Sequence, residues 1–299
     1  MIEGQAGVNW DNWRPLVRAV EELGFAGLYR SDHFTNPNPP DYDSLELWMS
    51  LLWLADHTER IEFGPLVTPV SFRHPAMTAR MASAVDDLSG GRLTLGLGAG
   101  WQEREHANYS YELLAVAPRF KRFEEALFVI ARLLQHDDPV TFKGEYYQFN
   151  EAVLLPRPKR PGGPPILIGG NGPKRTLPVV AKYAREWNAV YQTPEQFAAL
   201  SVQLDELLAA QGRNPGEVRR SLMTGLLFAQ DDAALKVMLR ERKVDTVDEI
   251  RARGVVAGTG AQIVDQLGRL AEVGVQRVML QWFALDDLDG LAAFAAAVL

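Results

Sequence analysis

Short β-rich runs alternate with longer helical patterns along almost the whole chain, and no other feature restricts the fold as much. In "NWDNWRPLVRAVEELG", Trp13, Leu16, Val17, Val20 and Leu23 fall on one helix face, and Gly24 stands where a C-cap glycine is expected. The strand "AGLYRS" follows it. The pattern continues as helix "LELWMSLLWLADHT", strand "RIEFGPLV", helix "HPAMTARMASAVDDLSGG", strand "RLTLGLGAGW" and helix "RFKRFEEALFVIARLLQ". Residues 137 to 163 interrupt the rhythm with "PVTFKGEYYQF" and the proline-rich "LLPRPKRPGGPP", read as an inserted hairpin and crossing loop, because proline forbids a central strand.

Beyond the insertion the units are strand "PILIG", helix "GPKRTLPVVAKYA", strand "EWNAVY" and helix "TPEQFAALSVQLDELLAAQG", with Thr193 as N-cap and Pro194 at the first position. Next come strand "RRSLMTGLLFA", a helical stretch over 232 to 273 broken at "GVVAGTG", strand "VQRVMLQWF" and helix "LDGLAAFAAAVL". With "MIEGQ" as the first strand, eight strands are each followed by helix, the arithmetic of an α/β fold of the closed (β/α)8, or TIM barrel, type. A doubly wound open sheet is the alternative. At 299 residues, one domain spanning 1 to 299 suits a barrel.

Composition narrows function. The net charge of -7 and the scattered Lys and Arg leave no basic stripe for nucleic acid. With no cysteine, disulfides, thiolate catalysis and Cys-held metals are excluded. Apolar runs are far shorter than the roughly 20 residues of a membrane span, and no signal-peptide pattern opens the chain. A cytoplasmic protein that touches neither membrane nor nucleic acid is the expectation.

In a barrel, chemistry collects at the C-terminal ends of the strands. The polar residues directly after each apolar run are therefore the candidates: Glu3 and Gln5, Asp32 and His33, "PLVTP", "GAGWQERE", "GGNGPK", "YQT", and Gln281 with Trp282. Neighbours on a strand point to opposite faces, so Asp32 is not a simple partner of His33. One of the two faces the mouth and the other supports it or binds a cofactor, the alternative for His33 being a histidine that caps the loop. His57, His74, His106 and His136 lie in or beside helices and read as structural. No metal site is expected, since "SDH" and "REH" lack the spacing of a ligand set, and no G-x-S-x-G marks a serine nucleophile. "GGNGPKRT" follows a strand and opens a helix, a place where backbone N–H groups can take a phosphate or merely make a tight turn. "GLGAG" lacks the spacing of a dinucleotide fingerprint.

Four blocks in order, "LYRSDHF", "GPLVTPVSFRHP", "LSGGRLTLGLGAGWQEREH" and "IGGNGPKRTLPVVAKYAREWN", resemble the bacterial-luciferase-like flavin and deazaflavin oxidoreductases, and most closely their coenzyme F420-dependent branch. Beyond about residue 200 only the pattern matches. The resemblance implies the barrel with its insertion, a flavin-type ring at the mouth and frequent homodimers, for which Trp48, Leu51 and Leu52 on the early helices are candidates, the alternative for all three being the core. It implies that Asp32 contacts the cofactor and that His33 is the catalytic acid or base. It implies a non-prolyl cis peptide under the ring within Pro65, Leu66, Val67 and Thr68, placed at Pro65–Leu66. The phosphate falls to Gly169, Gly170, Asn171 and Gly172, with Lys174 or Arg175 adding charge; Gln192 adds a further cofactor contact. Gly98 and Gly100 line the ring, and Glu3, Trp101, Glu105 and Trp282 the substrate pocket.

The implied activity is hydride transfer between the deazaflavin and a small alcohol, aldehyde or unsaturated compound. An FMN-dependent monooxygenase of the same fold and a non-catalytic flavin-binding protein are the alternatives. Trp101 stands where related sugar-phosphate dehydrogenases have an acid, and Glu195 where they have a phosphate-binding lysine, which speaks against a sugar phosphate. The chain also starts unusually close to its first strand, so a few residues common in relatives are expected to be missing, with a short first strand or a misassigned start as the alternatives.

Overall fold

A computed structural model describes residues 1–299. Helix α1 (Trp10–Glu22) leads to β1 (Gly27–Arg30), α2 (Leu47–His57) to β2 (Glu62–Pro65) and the short β3 (Thr68–Pro69), and α3 (Pro75–Leu88) to β4 (Leu95–Gly98). Helices α4 (Glu103–Asn108) and α5 (Val116–Gln135) precede an antiparallel hairpin of β5 (Val140–Lys143) and β6 (Gln148–Ala152), the expected insertion. Then follow β7 (Ile166–Gly169), α6 (Thr176–Tyr183), β8 (Glu186–Val190), α7 (Pro194–Ala210) and β9 (Arg219–Ala229). Helices α8 (Asp232–Glu241) and α9 (Val247–Arg251), strand β10 (Val256–Thr259), α10 (Gly260–Glu272), β11 (Arg277–Gln281) and α11 (Leu288–Val298) complete the chain.

Local chemistry sets the helix ends. Asn9 and Asn12 cap the start of α1 reciprocally, and Gly24 leaves it at a φ of 91°, a conformation open to glycine without a Cβ clash. Thr193 accepts the Gln196 N–H ahead of Pro194, as its sequence position predicts.

The strands form a ring of parallel staves. β1 pairs β2, and β4, β7, β8, β9 and β11 pair in that order. A bridge between Phe63 and Leu93 joins β2 to the entry of β4. Met1 and Ile2 supply the last stave. The Met1 amine donates to the Leu280 carbonyl at 2.8 Å, the Ile2 N–H to Tyr29 at 2.8 Å, and the Ser31 N–H to Ile2 at 3.0 Å. The hydrogen bonds thus return to their start, and the (β/α)8 expectation holds.

Two details depart from it. "MIEGQ" is a single bridge from Ile2 to Arg30, not a strand, because the chain turns away at Gly4, whose N–H is taken by Ser31 Oγ at 2.9 Å. An apolar cavity of about 330 Å³ lies along this short stave, lined by Leu16, Val20, Leu28, Val278 and Phe294. The stretch 232 to 273 is not helix with a glycine break. Its "VAGT" forms β10, which pairs the outer half of the long β9.

Tyr29, Leu66, Leu167 and Met279 fill the lumen, while the larger core lies between staves and helices. Of the three residues open to either a dimer face or the core, Trp48 and Leu51 belong to that core, while Leu52, one position on, is exposed. The helix period explains this, since adjacent residues sit about 100° apart. No helix is long and apolar enough to cross a membrane.

Candidate active site

His33 follows β1 at the mouth of the barrel. Its Nδ1 lies 2.8 Å from Glu105 Oε1, on α4, while Glu105 Oε2 accepts the Phe34 N–H at 3.1 Å. A carboxylate on the Nδ1 side keeps the proton there and leaves Nε2, which has no protein partner, as the basic nitrogen. Burial of the imidazole opposes its charged form, but the hydrogen bond and charge of Glu105, with the fields of Glu3 and Asp32, outweigh it and raise the pKa above 6.5. The indole of Trp101 meets His33 edge-on, with centroids 5.5 Å apart and planes at 80°.

Asp32 points the other way, as strand alternation requires. Its buried carboxylate accepts the Thr68 hydroxyl at 2.5 Å and is held by Arg73, whose Nη2 also reaches Glu46 Oε1 at 2.7 Å. Glu105 was foreseen only as a pocket acid, not as the partner of His33, because 72 residues separate them. Arg73 was missed altogether, although "SFRHP" lies inside one of the quoted blocks.

The non-prolyl cis peptide is Leu66–Val67, one bond beyond the expected Pro65–Leu66. Val67 rises over the glycines of the neighbouring strands: a Cβ on Gly98 would sit 2.6 Å from Val67 Cγ2. Gly98 therefore makes room for a side chain. Gly100, with φ at 87°, brings the backbone beside Ser71 and His106. His106 is buried and bonded to both Ser71 Oγ (2.8 Å) and the Gln102 carbonyl (2.7 Å), a structural histidine as expected.

The loop from β7 to α6 is anchored from below. Gly169 ends the strand beside Val67, and Gly170, with φ at 122°, donates to Asn188. The Asn171 side chain is occupied: its Nδ2 donates to the Val190 carbonyl at 2.7 Å and its Oδ1 accepts the Val190 N–H at 2.9 Å. This side chain positions the loop, and its own amide is not open to a phosphate. No side chain caps α6, and the main-chain N–H groups of Asn171, Gly172, Lys174 and Arg175 meet no protein acceptor. Lys174 and Arg175 are exposed beside them.

Across the mouth runs a polar chain. Tyr191 donates to Gln281 Oε1, Gln281 Nε2 to Glu3 Oε1 (2.7 Å), and Gln5 Nε2 to Glu3 Oε2 (3.1 Å). Gln192 turns back onto the carbonyls of Val190 and Tyr191. Trp282 does not join this group. Alternation turns it outward, where it stacks on Phe294 of α11 at 6.3 Å.

The mouth thus brings together an acid-backed imidazole, a second buried acid and a glycine loop with open main-chain N–H groups. Residues 2–243 match the model of the luciferase-like monooxygenase family, and the chain belongs to that family. It is 29% identical to the F420-dependent glucose-6-phosphate dehydrogenase of Kineococcus radiotolerans, over 92% of this chain and 79% of that protein. It is 31% identical to the 5,10-methylenetetrahydromethanopterin reductase of Archaeoglobus fulgidus, over 92% and 76%. Among solved structures, an F420-dependent secondary alcohol dehydrogenase in complex with an F420-acetone adduct superposes with a TM-score of 0.85 at 21% identity, covering 100% of this chain and 98% of that one.

Proposed function

We propose that this chain is a coenzyme F420-dependent oxidoreductase, a single cytosolic barrel domain that moves hydride between the deazaflavin and a small alcohol, aldehyde or unsaturated compound. The observation that carries the reading is His33, held through Nδ1 by a buried carboxylate with Nε2 left free. The residues fit the cofactor's chemistry. The loop entering α6 offers the free N–H groups of Asn171, Gly172, Lys174 and Arg175, with the Lys174 and Arg175 side chains nearby, to a phosphate, while the Thr176 and Leu177 N–H groups donate to the Gly172 carbonyl. Asp32, fixed by Thr68 and Arg73, and the Leu66–Val67 segment supply the cofactor's ring site.

When bound, the deazaflavin supplies a hydride carrier that does not readily activate oxygen, because carbon replaces the reactive ring nitrogen. His33 Nε2 takes the proton of a substrate hydroxyl in the oxidative direction and returns it in the other. Glu105 keeps the ring oriented and stabilises the imidazolium so formed, with Glu3 and Asp32 adding to that field. The exposed Met49 and Leu52 of α2 and Met77 of α3 support a homodimer through these helices. Light scattering of Leu52→Asp checks that face, a monomer being the expected result.

Fluorescence titration of the purified protein with coenzyme F420 and, separately, with FMN tests the reading. Tight binding of F420 alone is expected. Binding of FMN alone transfers the proposal to oxygen-dependent hydroxylation, and binding of neither removes the roles given to Asp32 and the glycine loop.

A further inference from the structure

We infer that Trp101, standing over a negatively charged floor around His33, selects for an uncharged substrate with an apolar flank and against phosphorylated ones. The inference rests on the proposed F420-dependent reading of the same site.

Trp101 is 59% exposed, although its ring lies against the group proposed to handle the proton. An indole left open beside a reacting centre gains when a ligand covers it, at roughly 25 cal/mol per Å² of apolar surface. It also walls an open cleft of about 590 Å³, with Pro37, Gln102, Glu103, Arg104 and Ala107. Apolar substrate atoms packed on the indole sit beside His33, whose ring centroid lies 5.5 Å from that of Trp101.

The charges around this wall oppose an anion. Glu105 and Glu3 act on His33, as does Asp32, whose charge Arg73 offsets. The nearby cations are already bound: Arg104 grips Asp41 through both terminal nitrogens, at 2.7 and 2.6 Å, and Arg73 holds Asp32 and Glu46. Lys174 and Arg175 belong to the glycine loop and, in the proposed reading, serve the cofactor's phosphate. A phosphate monoester brings up to two negative charges and needs charge-assisted donors to replace its water. No uncommitted cation meets it beside His33. The same acids favour the imidazolium during turnover, so one arrangement serves both proton transfer and discrimination.

The test uses F420-loaded protein carrying 13C-labelled histidine, with the His33 signal assigned by its loss in His33→Asn. Cyclohexanol and inorganic phosphate are the probes, added at constant ionic strength. Cyclohexanol is expected to move the His33 signal saturably, and phosphate to leave it in place. Trp101→Ala weakens the cyclohexanol response about tenfold, the effect of losing roughly 1.4 kcal/mol of apolar contact, and Trp101→Lys admits phosphate. A saturable phosphate shift in the wild-type protein overturns the inference, as does a His33 signal that ignores cyclohexanol. Failure of the protein to load with F420 instead overturns the proposed function, and the two failures are read from separate titrations.

Discussion

The two ends of the barrel use the same kinds of residue to different effect. At the N-terminal floor, Arg277 reaches Glu62, Glu186 and the Tyr29 hydroxyl, while Tyr29 also bonds Thr94 Oγ1 at 3.2 Å and Arg219 lies 3.3 Å from Glu62. Burial raises the Glu186 pKa against the opposing pull of Arg277, so the arginine is what keeps this carboxyl tolerable there. At the mouth, Asp32 is closed off in the same way by Arg73 and Thr68, but next to it His33 keeps a free ring nitrogen and the glycine loop keeps free N–H groups. Donors and acceptors matched against each other stabilise a fold. Those left facing the opening are available to a ligand, and this contrast separates the chemical end of a barrel from its structural end.

The contrast is most exposed at His33. His33→Ala is expected to lower kcat about a hundredfold or more, the usual contribution of a general acid or base, while F420 affinity stays as it was. Steady-state kinetics beside a binding titration check both halves, and an unchanged kcat removes the distinction between the two ends. Arg277→Ala is the counterpart at the floor. It leaves the buried Glu186 without its cation and is expected to cost about 3 kcal/mol of stability, read from urea unfolding, with cofactor affinity unchanged.

The floor and the mouth also differ in how well the sequence announces them. The stave count was legible because each unit carries its own period and its own punctuation, and "RRSLMTGLLFA" coincides with β9, Arg219 to Ala229. Polar residues after strand ends pointed to His33, Asp32, Glu3 and Gln281, since the barrel directs every such end to one rim. What the sequence hid was pairing. Glu105 meets His33, and Arg73 meets Asp32, through closure of the ring, and neither separation is a local period. Trp282 misled for the opposite reason: it ends a strand as Gln281 does, but one residue decides which face it takes. "VAGT" was read as a helix break because glycines weaken a strand signal that only the outer half of β9 makes worthwhile.

A smaller effect sharpens the picture of the mouth. Glu105→Gln keeps the shape of the His33 partner but removes its charge, so the His33 pKa falls and the acid limb of kcat/KM for alcohol oxidation moves to lower pH. A loss of about tenfold in kcat is expected from poorer orientation. The raised pKa also contributes stability, fully present below the unfolded value of about 6.5 and lost as pH rises through the folded one. The stability gap between wild type and Glu105→Gln from this charge therefore narrows toward alkaline pH. A gap that widens instead contradicts the raised pKa.

The smallest expected effects come from a matched pair of hydroxyl deletions, one at each end. Tyr29→Phe takes from the floor a hydroxyl shared by Arg277 and Thr94, and Thr68→Val takes from the mouth the hydroxyl that Asp32 accepts. Each removes one buried hydrogen-bonding group, so each costs about 1 to 2 kcal/mol in urea unfolding. Stability alone does not tell them apart. Cofactor affinity does, because in the proposed reading Asp32 contacts the ring, and after Thr68→Val it is held by Arg73 alone. F420 binding is expected to weaken about threefold, near 0.7 kcal/mol, in Thr68→Val and to stay unchanged in Tyr29→Phe. If both variants lose stability and neither loses affinity, Asp32 is as structural as Glu186, and the functional mouth contracts to His33, Glu105 and the glycine loop.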